Sequence, residues 1–280
     1  ALGGNLSLIG APGNLIAQSA LQNIGSGFGF FEYAKVGLPM LVCGIIYFLT
    51  IGYKFLPNNP NSSEVGSIGE QRDYSHVPRW KQILSLVVLI ATILGMIFEK
   101  QTGISLAVAG CIGALVLVIT GVLSEKQAYK AIDSQTIFIF GGTLALAKAL
   151  EMTGAGKLVA DQVIGMLGNN SSPFMLLVVV FALSVVMTNF MSNTATVALL
   201  VPVSLSIAAG MGADPRAVLM ATVIGSSCAY ATPIGMPANM KVLSAGGYKF
   251  VDYAKSGIPL IIVSTIVSLI LLPILFPFHP

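Results

Sequence analysis

Charge is what this chain has least of. Only 9% of its 280 residues are charged, against roughly a quarter in a soluble domain. Histidine is nearly absent: His76 stands in a polar stretch and His279 at the C-terminal end. Aspartate and glutamate lie almost wholly in loops, with Glu151 the nearest exception, and no two acids pair inside an apolar segment. An enzyme embedded in a membrane needs a nucleophile–base pair or a metal cluster at depth, so these absences argue against one. Cysteine is scarce too. Cys43, Cys111 and Cys228 are far apart in apolar segments, with no disulfide or metal spacing, and read as small buried hydrophobes. The chain opens Ala1-Leu2-Gly3-Gly4-Asn5 without Met, charged leader or signal-peptide layout. That reads as a start inside something longer.

What remains is apolar. The chain is 55% hydrophobic with mean hydropathy +0.87, which predicts an all-α polytopic membrane protein. A short helix is expected from Leu15 to about Asn23, and a long apolar one from Glu32 to about Phe55. A polar linker over 56–81 follows, rich in Pro and Asn. Spanning helices are predicted at Gln82–Phe98, Ile104–Leu123 and Gln135–Leu150. A short polar helix, Ser124–Ile132, lies between the last two, and Ala155–Met166 reads as interfacial. Further helices are expected over Ala217–Tyr230, within a broken helix 217–245, and from Lys255 to 276 or 277.

Between Pro173 and Ala209 the pattern differs. Two apolar arms, Pro173–Asn189 and Ala195–Ala209, flank Ser192-Asn193-Thr194. At ~1.5 Å per residue neither arm reaches across a hydrocarbon core, which takes roughly 20 residues. The expectation is a re-entrant hairpin, 173–209, with a polar tip at membrane depth. Irregular backbone there is tolerated only inside protein or beside a water-filled cavity, which makes the tip a candidate site.

The two ends of the chain match each other. Ile9-Gly10-Ala11-Pro12-Gly13-Asn14 parallels Ile234-Gly235-Met236-Pro237-Ala238-Asn239, and Phe31–Pro39 parallels Val251–Pro259 in the same order. Two co-linear matches signal an internal repeat. Residues 1–55 read as the end of a first copy and 82–280 as a second, with linker 56–81 between. The second copy has a hairpin before its break; the partner of that hairpin is expected upstream, in a missing N-terminal half. Lys54, Arg72, Arg79, Lys81, Lys126, Lys130, Lys241, Lys249 and Lys255 fall on one side, and Lys35, Lys100, Lys148, Lys157 and Arg216 on the other. The positive-inside rule then makes the linker cytoplasmic and the C-terminus external, and the two copies inverted.

Broken helices in corresponding halves of an inverted repeat mark the substrate site of a secondary transporter. Half-helices starting at Thr194 and near Pro237 to Asn239 aim free N–H groups inward, which suits an anion without any basic residue. Pro12 and Asn14 hold the same place in the first copy. The ends of the arms supply free carbonyls. With the Thr188 and Ser192 hydroxyls and the Asn193 amide oxygen, they suit a hard monovalent cation. Lys148 and Glu151 read as a structural pair, and Gly141-Gly142 as a site of close helix packing.

The run Asn189-Phe190-Met191-Ser192-Asn193-Thr194-Ala195-Thr196, the break Pro233–Asn239, Gly246–Phe250, and Phe140–Ala149 resemble the divalent anion:sodium symporters. The resemblance implies sodium-coupled, elevator-type transport of a dicarboxylate, citrate or sulfate by a homodimer in the plasma or inner membrane. It places Na+ at Thr188, Ser192, Asn193 and Gly235, and in the first copy at Gly10. It places the substrate at Ser192, Asn193 and Thr194. Many dicarboxylate members carry Thr before the break's Pro, where this chain has Ala11 and Met236, which leaves sulfate or another small anion open. No organic cofactor and no nucleic-acid partner is expected. The alternatives are a channel-like or non-transporting membrane scaffold, or a proton-coupled anion exchanger.

Overall fold

The computed structural model describes residues 2–56, 77–132, 172–236 and 248–278, with isolated positions between 134 and 165 and residues 238, 239 and 242. The helices expected over 135–150 and 155–166 fall mostly outside the described residues, as do Lys148, Glu151, Pro237 and the linker over 57–76. Among the described residues the regular structure is helical throughout. The chain forms two compact units, residues 67–135 and the rest.

In the smaller unit, α3 (Arg79–Ile97), α4 (Leu106–Ile119) and the polar α5 (Glu125–Ala131) come in that order along the chain, after α1 (Pro12–Gln22) and α2 (Ala34–Thr50) of the larger unit. Ser105 and Ser124 cap α4 and α5 through their hydroxyls. Small residues let α3 and α4 approach closely: a Cβ on Gly113 would collide with Thr92, and one on Gly95 would stand 3.6 Å from the Ala109 methyl. The expected span Ile104–Leu123 is shorter than the sequence suggests. It stops at Ile119 after 14 residues, because Gly121 turns the chain with φ 70°.

The larger unit holds α1 (Pro12–Gln22), α2 (Ala34–Thr50), α6 (Pro173–Thr188), α7 (Asn193–Met211), α8 (Pro215–Ser226) and α9 (Phe250–Leu275). Several ends move from where the sequence puts them. Helix α1 starts at Pro12 rather than Leu15, since proline at the first helical position gives up an N–H that has no partner there anyway. Helix α8 stops at Ser226 rather than Tyr230, where the Ser226 and Ser227 hydroxyls both bond back to Val223 O. Helix α9 starts at Phe250, five residues earlier than expected, because the Asp252 carboxylate accepts from Lys249 N at 2.8 Å and closes the first turn.

Helices α6 and α7 pack side by side as a helical hairpin with unequal arms. Leu176 and Val180 of α6 pack with Ile207 and Ala208 of α7 and with Val218 of α8, so the start of one arm meets the end of the other. Helix α7 has 19 residues rather than the expected 15. Ser192 caps it from outside, and it runs on to Gly212, whose φ of 62° ends it. Its ~28 Å approaches the thickness of a hydrocarbon core. Together with α3 and α9 it is one of three described helices long and apolar enough to cross a membrane. The premise that both arms are too short to span therefore holds only for α6.

The internal match is carried by bonds as well as letters. Asn14 Nδ2 donates to Gly4 O (3.0 Å) and Ser7 O (2.9 Å). Asn239 Nδ2 donates to the counterparts, Ala229 O (2.8 Å) and Thr232 O (3.1 Å). Tyr33 Oη donates to Asn14 O, as Tyr253 Oη does to Asn239 O. A Cβ on Gly37 would collide with Asn5 O, and one on Gly257 with the corresponding Tyr230 O. Each copy thus pins its break loop against the following long helix. Tyr47 Oη, donating to Ser256 O at 2.9 Å, joins the two long helices α2 and α9.

Gly37→Ala and Gly257→Ala are each expected to lower stability by about 1–3 kcal/mol, because backbone has to move. Gly95→Ala, with ordinary contact distance, serves as the control. Thermal unfolding of the chain in lipid nanodiscs checks this; a glycine pair no more sensitive than Gly95 would refute the pinned-loop geometry.

Candidate functional site

The candidate site lies where three helix ends converge: the end of α6, the start of α7 and the end of α8 with the extended segment after it. Each leaves backbone groups without helical partners. Asn189 stitches two of them together. Its Nδ2 donates to Val185 O (2.7 Å) and Cys228 O (3.3 Å), and its Oδ1 accepts from Ala231 N (3.0 Å). Thr232 Oγ1 donates to the Asn189 carbonyl at 2.6 Å. The hairpin turn and the break are therefore one hydrogen-bonded body.

Beside this seam lies a cluster of oxygens. Thr188 is fully buried, and its hydroxyl donates to Ser226 O. The inward atom of the Asn193 amide stands 2.8 Å from Thr188 Oγ1 and 3.1 Å from each of the Ser226 and Gly235 carbonyl oxygens. Three acceptors around one atom assign it as Nδ2, which then donates among them. Gly235 has to be glycine here: a Cβ would stand 2.5 Å from Thr188 O and 2.7 Å from the Ala229 methyl. Gly10 is equally confined in the first copy, its Cβ position colliding with Gly4 O.

Of the residues the sequence nominates, Thr188, Asn193 and Gly235 come together. Ser192 is exposed and spends its hydroxyl capping α7, accepting from Ala195 N at 3.2 Å. Thr194 is half-buried in the first turn of α7, among N–H groups without helical partners. The side-chain amides of Asn14 and Asn239 are committed to their break loops. Pro12 opens α1, and the neighbouring Gly13 touches the Val197 side chain closely enough that a Cβ would stand 2.9 Å from Cγ2. The first turn of α1 thus packs on the first turns of α7. Neither helix has an acidic residue in its first turn, so both positive ends are electrostatically open.

Three further positions of this candidate site escape the sequence. Ser226 contributes its carbonyl only because α8 ends there, and the signal is the Ser226-Ser227 pair, two side chains that compete for helix carbonyls. Asn189 is the stitch, legible in retrospect as an amide at the end of an apolar run. Thr196 Oγ1, one turn into α7, is buried with no partner among the described residues. No group of three or more histidine, cysteine or acidic residues that could hold a metal occurs among the described residues; the groups that meet here are neutral oxygens and an amide.

Comparison with known proteins follows the same line. A family model described as citrate transporter matches residues 1–224 and 93–279. An uncharacterized transporter of Methanocaldococcus jannaschii is 30% identical over 272 residues, covering 95% of this chain and 60% of its own length. The uncharacterized transporter YfbS of Escherichia coli is 35% identical over 171 residues, 61% of this chain and 28% of its own. The sodium-dependent dicarboxylate transporter SdcS of Staphylococcus aureus is 24% identical over 302 residues, 99% of this chain and 56% of its own. The chain thus spans 60% or less of the length of these curated relatives. The matched proteins are transporters rather than enzymes, and the apolar helices make this an integral membrane protein. By its matches to this family model over nearly its whole length, the chain belongs to the citrate transporter family.

Proposed function

We propose that this chain forms part of a sodium-coupled secondary transporter for a small divalent anion, a dicarboxylate, citrate or sulfate. The observation that carries the reading is the convergence of Thr188 Oγ1, the Asn193 amide and the carbonyls of Ser226 and Gly235. All are neutral oxygen-bearing groups, three are immobilised by helix ends, and none is a soft ligand, which fits a hard cation. A half-turn of the Asn193 amide replaces its donor with Oδ1 and completes a set of four oxygens. Bound there, Na+ would supply a positive charge that offsets the charge of the substrate and links its movement to the ion gradient. A similarity to a sodium-dependent dicarboxylate transporter supports the same ion and substrate class.

The anion belongs at the adjoining positive ends of α7 and α1, where Thr194 N–H and the opening turn behind Pro12 face no acidic neighbour. Ser192, Asn14 and Asn239 are the further substrate positions in this reading, and Gly10 marks the second sodium position. The paired break loops support an inverted repeat, with the α6–α7 hairpin re-entering from outside, the linker cytoplasmic and the C-terminus external. A second hairpin over the first copy, supplied by a preceding N-terminal half, completes the site. The larger unit moves as an elevator within a homodimer.

Two measurements test this. Sodium chloride is expected to stabilise the chain in lipid nanodiscs by about 1.4 kcal/mol at ten times the dissociation constant, while choline chloride does not. Asn193→Ala removes the increment. An equal increment in choline, or one that survives Asn193→Ala, would rule out the cation site. Cells expressing the protein should also accumulate labelled succinate, citrate or sulfate only with external sodium. Uptake unchanged on replacing sodium with choline would separate the transport reading from sodium coupling.

A further inference from the structure

Helices α2 and α9 are joined near one end. Helix α2 finishes at Thr50 and α9 begins at Phe250, and Tyr47 Oη in the last turn of the one donates to Ser256 O of the other. Beyond Thr50 the chain makes a 3-10 turn, Gly52–Phe55. A Cβ on Gly52 would stand 2.7 Å from Tyr47 Cε1, so the turn folds back against the helix end. It carries Lys54 between Tyr53, 56% exposed, and Phe55, 39% exposed. Exposed aromatic rings beside a lysine, at the end of an apolar helix, mark the level where a bilayer meets water.

At this level Lys54, Phe55 and Leu56 line a cavity of about 510 Å³ together with Asp252 and Lys255 from the first two turns of α9. Two ammonium groups and one carboxylate therefore share it, a net charge of +1. One oxygen of Asp252 is already engaged, accepting from Lys249 N at 2.8 Å. Both lysines are exposed, and neither has an ion pair among the described residues. Lys255 also heads a row on α9. Ile258, Ile262 and Ile266 follow it at three- and four-residue steps, which places all four on one helix face. Each of these isoleucines is more than half exposed. A cationic head above an aliphatic row has the layout of a phospholipid contact.

We infer that Lys54 and Lys255 seat the phosphodiester headgroup of an anionic glycerophospholipid of the phosphatidylglycerol type, with an acyl chain laid along Ile258, Ile262 and Ile266. Charge complementarity selects the headgroup. One phosphodiester cancels the net charge of the cavity, as basic pockets at a membrane surface do with anionic lipids. Phosphatidylcholine brings a cationic group of its own against the two lysines. Asp252 repels a doubly charged phosphomonoester, and its carboxylate accepts from the hydroxyls of a glycerol headgroup. The isoleucine row selects a lipid over free phosphate. The inference uses no atom of the Asn193 cluster, so it stands or falls separately from the sodium reading.

The test uses the 280-residue chain in nanodiscs holding equal amounts of phosphatidylglycerol and phosphatidylcholine. Native mass spectrometry counts the lipids that stay bound on release. The parent chain is expected to retain phosphatidylglycerol in preference to phosphatidylcholine. Replacing both seat lysines, Lys54→Gln with Lys255→Gln, is expected to lower that retention roughly thirty-fold. Lys126→Gln with Lys130→Gln removes the same charge from the polar helix α5 and is expected to leave retention unchanged. Equal retention in the two double variants, or no preference between the lipids in the parent, would overturn the proposal. So would displacement of the lipid by an equal concentration of glycerophosphoglycerol, the headgroup without its chains. All four lysines are exposed, so both double variants are expected to fold, and the lipid preference of the parent chain decides the matter even where one does not.

Discussion

A helix that ends among apolar side chains leaves carbonyl groups that water does not reach, and each one unpaired costs several kcal/mol in a bilayer. That constraint shapes the larger unit. Helix α8 stops at Ser226, and the carbonyls it exposes are taken up by Thr188, Asn189 and Asn193 of the hairpin. The hairpin turn is in turn held by Ala231 and Thr232 of the break. Neither piece satisfies its own backbone, so they are stable only together. The oxygen cluster is what this mutual dependence leaves at its centre.

The first copy meets the same problem with its own means. Asn14 gathers Gly4 and Ser7 as Asn239 gathers Ala229 and Thr232, and a tyrosine from the next helix closes each arrangement. Glycines at 37 and 257 let a helix lie directly on the loop backbone. Both break loops fall in one compact unit, with residues 67–135 set apart. The shared core therefore joins residues more than 200 positions apart, as the Tyr47–Ser256 bond does.

Much of this was legible beforehand. The all-helical class, the hairpin around Ser192-Asn193-Thr194, the paired breaks and the grouping of Thr188, Asn193 and Gly235 follow from hydropathy, short motifs and self-similarity. What was not legible turned on helix ends. Apolar runs do not show that Gly121 shortens α4, that α7 continues to Gly212, or that α8 stops at Ser226. These are decided by single residues in the left-handed region and by hydroxyls that compete for carbonyls. Roles were harder still. Asn14 and Asn239 look like ligands because they are amides at a break, yet their donors are spent on backbone, whereas the carbonyl of Ser226 is marked only indirectly, by the serine pair that ends α8.

The tyrosine that closes each copy lies at an unequal distance along the chain. Tyr33 is 19 positions beyond Asn14, and Tyr253 is 14 beyond Asn239. Closing the longer loop costs only a few tenths of a kcal/mol more, since even a doubling of length costs about 0.6. Extra length between the two anchors therefore costs little where it falls outside α1, whose Ile16, Ala17 and Leu21 are buried, while loss of either anchor costs more. The two matched stretches thus differ in spacing at this point and still share their bonds, and a comparison made without gaps would find only one of the two matches.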